Sequence, residues 1–331
     1  MWVSMMREEK RRMLAKLAYL FYVEGKSQTQ IAEETGIYRT TVSRMLAKAK
    51  KEGVVRIEIA DYDPNLFGLE EYVRQKYGLE KIDIVPNDPD DSLASTRSKV
   101  ARTAAEVLRN TVRDGDKIGV SWGATLSSVI DELDPKSMTG ISVCPLAGGP
   151  SHINVQFHVN TLVYRLARVF RGKSTFINAM AVQENKELTR GILQSKYFER
   201  LLESWNHLDL AIVGIGGEAN SGEESQWLDL LTAADFEQLK KEEAVGEVCC
   251  RFFDQYGNPV YRGLQERTIG ISLKQLEQVP KTLAVARGSY KAKAILAALK
   301  AGFINYLVTD KETLMRVLEL DGDTENVKPF C

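Results

Sequence analysis

The sequence predicts an α/β protein in two parts: a helix-turn-helix DNA-binding domain over residues 1–60, and a doubly wound, mostly parallel-sheet domain over residues 61–331. Three observations predict it. The stretch "SQTQIAEETGIYRTTVSRMLAKAKKEG", residues 27–53, packs two short helical patterns around one glycine. Beyond residue 80, nearly continuous apolar runs alternate with helical patterns, as buried parallel strands alternate with their crossover helices. Charge is also divided. Residues 1–60 hold 12 Lys+Arg against 7 Asp+Glu and the remainder 32 against 38, although the net charge of the 331-residue chain is only −1. A polyanionic partner should therefore meet the N-terminal end.

Taken in order, Leu14, Leu17, Ala18, Phe21 and Tyr22 recur at three- and four-residue steps and give a first helix up to Gly25. A second helix runs from about Thr29 to Thr35 and is stopped by Gly36; a third runs from Arg39 to Glu52 and is stopped by Gly53. "VVRIEI" alternates as a strand does, and "ADYDPNLFG" reads as a linker around residues 60–66. A helix over Leu66–Tyr77 leads into the strand "KIDIVP". Further strands are expected at Lys117–Ser121, Ile141–Leu146, Leu208–Ile215, Thr282–Ala286 and Tyr306–Thr309. Helices are expected at Thr96–Val112, Thr125–Leu133, Asn160–Phe170 and Lys291–Ala301.

Composition narrows the class. With 44% hydrophobic and 27% charged residues the chain matches an ordinary globular protein. Cys144, Cys249, Cys250 and Cys331 form no CxxC pair, and His152, His158 and His207 are scattered, so a reducing cytoplasm and no metal or other cofactor are expected. The start, "MWVSMMREEKRR", lacks a signal-peptide core, and no apolar run is long enough to span a bilayer. Neither secretion nor a membrane partner is expected.

A helix-turn-helix needs a small residue midway along its first helix, a turn residue that tolerates positive φ, and apolar anchors on the inner face of its second. Ala32, Gly36, Val42 and Met45 supply these at the right steps. The outer face then carries Arg39, Thr40, Ser43, Arg44 and Lys48, with Thr41 beside them. Arginine grips guanine with two hydrogen bonds, while Thr, Ser and Lys mostly reach the backbone. Gln28, Thr29 and Gln30 sit at a helix start, whose N–H groups suit a phosphate. The competing reading is a surface αα-hairpin whose charges merely face water. The complete set of packing positions and the charge on the outer face favour double-stranded operator DNA as partner.

In the larger domain, ligands should lie at the carboxyl ends of strands. "IGVSWGATL" places Ser121, Gly123 and Thr125 between a strand and a helix; "VCPLAGGPSH" places Gly148 and Gly149, and "LAIVGIGGEAN" places Gly216, after the strands that follow. "LAVARGSYKAKAILAAL" sets Lys291 at a helix start, a seat for phosphate. Glycines in such turns serve close packing as readily as ligand contact. "GVSWG" also fits the G-x-S-x-G nucleophile elbow, but a hydrolase would need a later Asp or Glu followed by a triad histidine, and the last histidine, His207, precedes a buried-looking strand, so a hydrolase is disfavoured. The glycines at 214–217 lack G-x-G-x-x-G spacing. Asp254, in "EVCCRFFDQYGNPV", is either a turn former or an acceptor for sugar hydroxyls.

Together these segments, with "TQIAEETGIYRTTVSRMLAKAKKEGVV", "FHVNTLVY", "RTIGISLKQL" and "FINYLVTDKETLMRVL", resemble the SorC family of sugar-responsive bacterial transcriptional regulators over nearly the whole chain. "IYRTT" and "HVNTL" are most like its L-sorbose-responsive branch. The resemblance implies a phosphosugar-isomerase-like effector domain, usually a homotetramer. It also implies a pocket using Ser121, Gly123, Thr125, Gly148, Gly149, Asp254 and Lys291, filled by a sugar or sugar phosphate. The chain departs from the family pattern at Arg287-Gly288, where Gly-Gly is usual. It also has Ala147 where the deoxyribose-responsive branch has a lysine, so no Schiff base can form there. The expected function is an operon regulator rather than an enzyme; the alternative is a phosphosugar-metabolising enzyme that carries a DNA reader.

Overall fold

The computed structural model describes residues 2–55, 64–88, 90–150, 155–219 and 227–328. The chain divides into two compact units, residues 1–63 and 64–331.

The first unit contains α1 (Trp2–Tyr22), α2 (Gln28–Thr35) and α3 (Arg39–Lys51). Leu14, Leu17, Ala18 and Leu20 of α1 bury against Ile31 of α2 and against Val42, Leu46 and Ala49 of α3. Helix α2 starts where Ser27 and Gln30 close a capping box, and stops at Gly36, whose φ of 68° is left-handed. Helix α3 stops at Gly53, also left-handed at 67°. The expected strand "VVRIEI" does not begin at Val54 or Val55, whose N–H groups both donate to Ala49 O and finish α3; residues 56–59 lie outside the described residues.

The second unit opens with α4 (Pro64–Tyr77), so the expected linker ends sooner than residue 66. Proline suits a first helical turn because its missing N–H would have no intrahelical partner. There follow β1 (Lys81–Val85), α5 (Leu93–Thr111), β2 (Lys117–Val120), α6 (Ala124–Asp131), β3 (Ser142–Pro145), α7 (Val159–Val169), β4 (Lys173–Ser174), α8 (Lys186–Leu193), α9 (Lys196–Trp205) and β5 (Leu210–Gly214). The chain continues through α10 (Ala233–Lys241), β6 (Gly246–Val248), β7 (Arg251–Phe253), α11 (Arg262–Arg267), α12 (Leu273–Leu276), β8 (Lys281–Val285), α13 (Ala292–Ala301), β9 (Tyr306–Asp310), α14 (Lys311–Leu320) and α15 (Thr324–Val327).

Seven strands form one sheet in the order β1-β9-β8-β5-β2-β3-β4, and every pair in it is parallel. The apolar runs explain this: Leu210, Ala211, Ile212 and Val213 are all buried, as a central strand covered by helices on both faces requires. From β2 the chain walks outward through β3 and β4, then returns to lay β5 on the other side of β2. The strand order therefore reverses between β2 and β5, and the carboxyl ends of these strands flank a crevice.

"EVCCRFF" folds as neither one helix nor one strand. Strands β6 and β7 pair antiparallel around the two-residue turn Cys249-Cys250, with φ of 52° and 64°. A two-residue turn left-handed at both positions matches strand twist but favours Asn and Gly, so two cysteines here hold a strained backbone.

The residues just after α14 fasten to α4. Lys76 Nζ lies 2.9 Å from Asp321 and 2.7 Å from Asp323, the Tyr77 hydroxyl donates to Asp321 at 2.8 Å, and Tyr72 donates to Asp323. Lys300 of α13 joins Asp321 at 2.5 Å.

Candidate functional site

The first unit presents α3 outward. Arg39, Thr40, Ser43 and Arg44 are exposed, while Val42 and Leu46 turn inward, so the helical period divides reading face from packing face. Thr41 is half-buried towards the packing side, and Lys48 is half-buried and pairs with Glu52 at 3.4 Å. At the start of α2, Thr29 is exposed and Gln28 half-buried. Gln30 is committed elsewhere: its Oε1 accepts from Ser27 N at 2.9 Å, and Ser27 Oγ accepts from Gln30 N at 3.3 Å. Its role in the fold is to start α2.

In the second unit a cleft of about 710 Å³ opens at the carboxyl ends of the strands, where the strand order reverses. It brings together Ser121, Gly123, Thr125, Gly216 and Lys291, which the sequence had separated by up to 170 positions.

Each wall has a local cause. After β2, Ser121 N donates to Ile212 O at 3.0 Å and ends the strand, and Gly123 turns the chain into α6 with φ of 121°. No side chain caps α6, and Ala124, Thr125 and Leu126 of its first turn line the cleft. Their N–H groups and the positive end of the helix favour an anion or electron-rich oxygens. After β8, Gly288 takes φ of 101° and donates its N–H to Thr313 Oγ1 at 2.7 Å; Thr313 in turn donates its N–H and its hydroxyl to Asp310, the N-cap of α14, at 3.0 and 2.7 Å. Arg287 before this turn and Tyr290 and Lys291 after it line the cleft.

Glu247 enters from the β6–β7 hairpin and was missed in the sequence. It is 8% exposed, lines the cleft, and its Oε2 accepts from Cys250 N at 3.0 Å. Burial pushes its carboxyl up to about 7, against the opposing pull of that N–H and of the Lys291 charge. Burial likewise lowers Lys291, which Glu247 partly restores and Arg287 lowers further. The approach of the hairpin depends on Gly216: Gly216 and Glu247 exchange backbone hydrogen bonds at 2.9 and 3.2 Å, and a Cβ on Gly216 would fall 2.4 Å from Glu247 Oε1. Trp122, Trp227 and Phe252 pack in a row of tilted rings, with centroids 5.9 and 4.9 Å apart. The only signal that could have found Glu247 was its place just before the unusual Cys-Cys turn.

Three expected pocket residues lie elsewhere. Gly148 and Gly149 are buried packing positions: a Cβ on Gly148 would meet Met180 O at 2.4 Å, and one on Gly149 would meet His158 Nε2 at 2.4 Å. Asp254 closes its own turn, accepting from Tyr256 N and Asn258 N at 2.9 Å each and from Asn258 Nδ2 at 3.2 Å. It borders a separate cavity with Lys240 and Lys293. Ala147 is fully buried, and His152 lies outside the described residues. Among the described residues no histidine lines the cleft beside Ser121, no His, Cys, Asp or Glu cluster is placed to hold a metal ion, and no helix is long and apolar enough to cross a membrane.

A basic helix-turn-helix joined to an α/β domain with a polar cleft at its strand ends defines a ligand-responsive transcriptional regulator. Comparison with known proteins gives the family. Residues 64–319 match the sugar-binding domain model and residues 24–56 the winged helix-turn-helix DNA-binding model. The sorbitol operon regulator of Klebsiella pneumoniae is 34% identical over 93% of this chain and 98% of its own length. The deoxyribonucleoside regulator of Bacillus subtilis is 33% identical over 93% and 97%. Among solved structures, a transcriptional regulator from Streptococcus pneumoniae TIGR4 is 52% identical with a TM-score of 0.76, covering 80% of this chain and 100% of its own. The full-length Klebsiella regulator SorC gives 32% and 0.71, covering 92% and 97%. The chain belongs to the SorC family of sugar-responsive transcriptional regulators.

Proposed function

We propose that the cleft binds a sugar phosphate and that its occupancy sets the affinity of residues 1–60 for operator DNA. The observation that carries this reading is the convergence of Lys291, Glu247 and the uncapped start of α6 in one cleft. Lys291 and the N–H groups of α6 suit a phosphate, while Glu247 and Ser121 suit sugar hydroxyls as acceptor and donor. Thr125, Gly123 and Gly216 complete the lining; Gly148, Gly149 and Asp254 are left out of it. Arg39, Thr40, Ser43, Arg44 and Lys48 are the proposed DNA contacts, with Gln28, Thr29 and Thr41 at their margin.

Regulation follows from linkage: a ligand changes DNA affinity only if it binds one arrangement of the protein better than another. A homotetramer in the cytoplasm, as the family resemblance implies, would present paired readers to half-sites spaced by whole DNA turns. In this reading the cleft works by binding rather than by turnover.

The test is thermal stabilisation against a panel of sugars and sugar phosphates, because a ligand that binds only the folded state raises the midpoint. At least one sugar phosphate should raise it, and Lys291→Ala should weaken that ligand tenfold or more, about 1.4 kcal/mol, while weakening the free sugar far less. Equal losses for both would refute the phosphate contact.

A further inference from the structure

Tyr38 stands at the entry to α3, where its backbone O accepts from Thr41 N and Val42 N at 2.8 and 3.0 Å. It is the N-cap residue, yet its side chain makes no capping hydrogen bond. Ser, Thr, Asp and Asn are preferred at that position because their side chains accept from the first turn's N–H groups, and this protein uses a serine for that purpose at the start of α2. The tyrosine also contributes nothing to the core, since its side chain is 85% exposed. A large aromatic is therefore held in water, in place of a better helix starter, next to the exposed Arg39 and Thr40.

We infer that Tyr38 is a DNA-contacting residue, its hydroxyl donating to a phosphate oxygen at the rim of the groove that α3 enters and its ring covering the adjoining sugar. This rests on the DNA-binding reading of residues 1–60. A tyrosine hydroxyl is among the groups that bond DNA phosphates, and contacts of that kind fix the register of the reading helix without selecting a base. The side chain supplies this contact with few rotatable bonds to immobilise.

The experiment uses the full chain and a duplex selected by the wild-type protein from a random-sequence pool, with a mixed-sequence duplex of equal length beside it. Tyr38→Ser should weaken binding to both duplexes about tenfold, while its thermal midpoint is kept or raised because a cap has been supplied. Tyr38→Phe should weaken both by about threefold, as expected for one lost phosphate hydrogen bond. Unchanged affinity in Tyr38→Ser would overturn the inference, as would a loss accompanied by a lowered midpoint, which means a structural role. A loss confined to the selected duplex overturns the phosphate contact in favour of a base edge. If the wild type enriches no duplex, the DNA-binding reading itself falls.

Discussion

Glu247 on the β6–β7 hairpin and Asp254 just after it, seven positions apart, show how differently two carboxylates can be used. Asp254 spends its oxygens on its own turn, whereas Glu247 is buried in the cleft with a single backbone donor. Its raised pKa has a direction for stability. The folded state holds the Glu247 proton more tightly than the unfolded chain, so its contribution is complete below the unfolded value near 4.5 and is lost as pH rises through about 7. The stability of wild type relative to Glu247→Gln should thus fall by up to about 1 kcal/mol per pH unit between pH 5 and 7 and flatten above, as read from denaturant titrations. A constant difference over that range would mean that the carboxyl is solvated. In the sequence Asp254 was the more conspicuous of the two because it precedes a Gly-Asn pair. Glu247 gave no comparable sign, since which face of a hairpin meets the cleft is decided by tertiary packing.

At the scale of elements, the legible parts were those with a local cause. Ser121, Gly123 and Thr125 lie where an apolar run breaks into a helical one, and Lys291 where another does, so their meeting followed from the rule for parallel sheets. Gly148 and Gly149 obeyed the same pattern but serve close packing against residues 180 and 158, contacts that no local periodicity shows. The two-residue strand β4 was too short to show a period, and the Cys249-Cys250 turn carries none of the usual turn residues. The closeness of β6 to the loop after β5 gives a direct test. Gly216→Ala puts a methyl where Glu247 Oε1 lies, so it should weaken the effector found by thermal screening tenfold or more. Circular dichroism should show the fold retained. Undiminished affinity would show that Glu247 does not take part in binding.

On the scale of the whole molecule, a sheet with its cleft at one end and a basic reader in a separate unit explains why the near-zero net charge conceals two kinds of surface. Helix α14 adds a mechanical consequence. Its N-cap Asp310 and the Thr313 that donates to it line the cleft, while the residues just beyond its other end, Asp321 and Asp323, hold Lys76, Tyr72 and Tyr77 of α4, the first helix after residue 63. A ten-residue helix is a strut about 15 Å long that does not compress. Loosening its far anchorage with Asp321→Asn should leave effector affinity nearly intact but reduce the change in DNA affinity that the effector causes, measured by fluorescence anisotropy with and without ligand. An unaltered response would show that the strut carries no load. A guest that shifts Thr313 would pull, through Asp321 and Asp323, on α4, so the strut works as a lever whose anchor bolt is a pair of carboxylates at its far end.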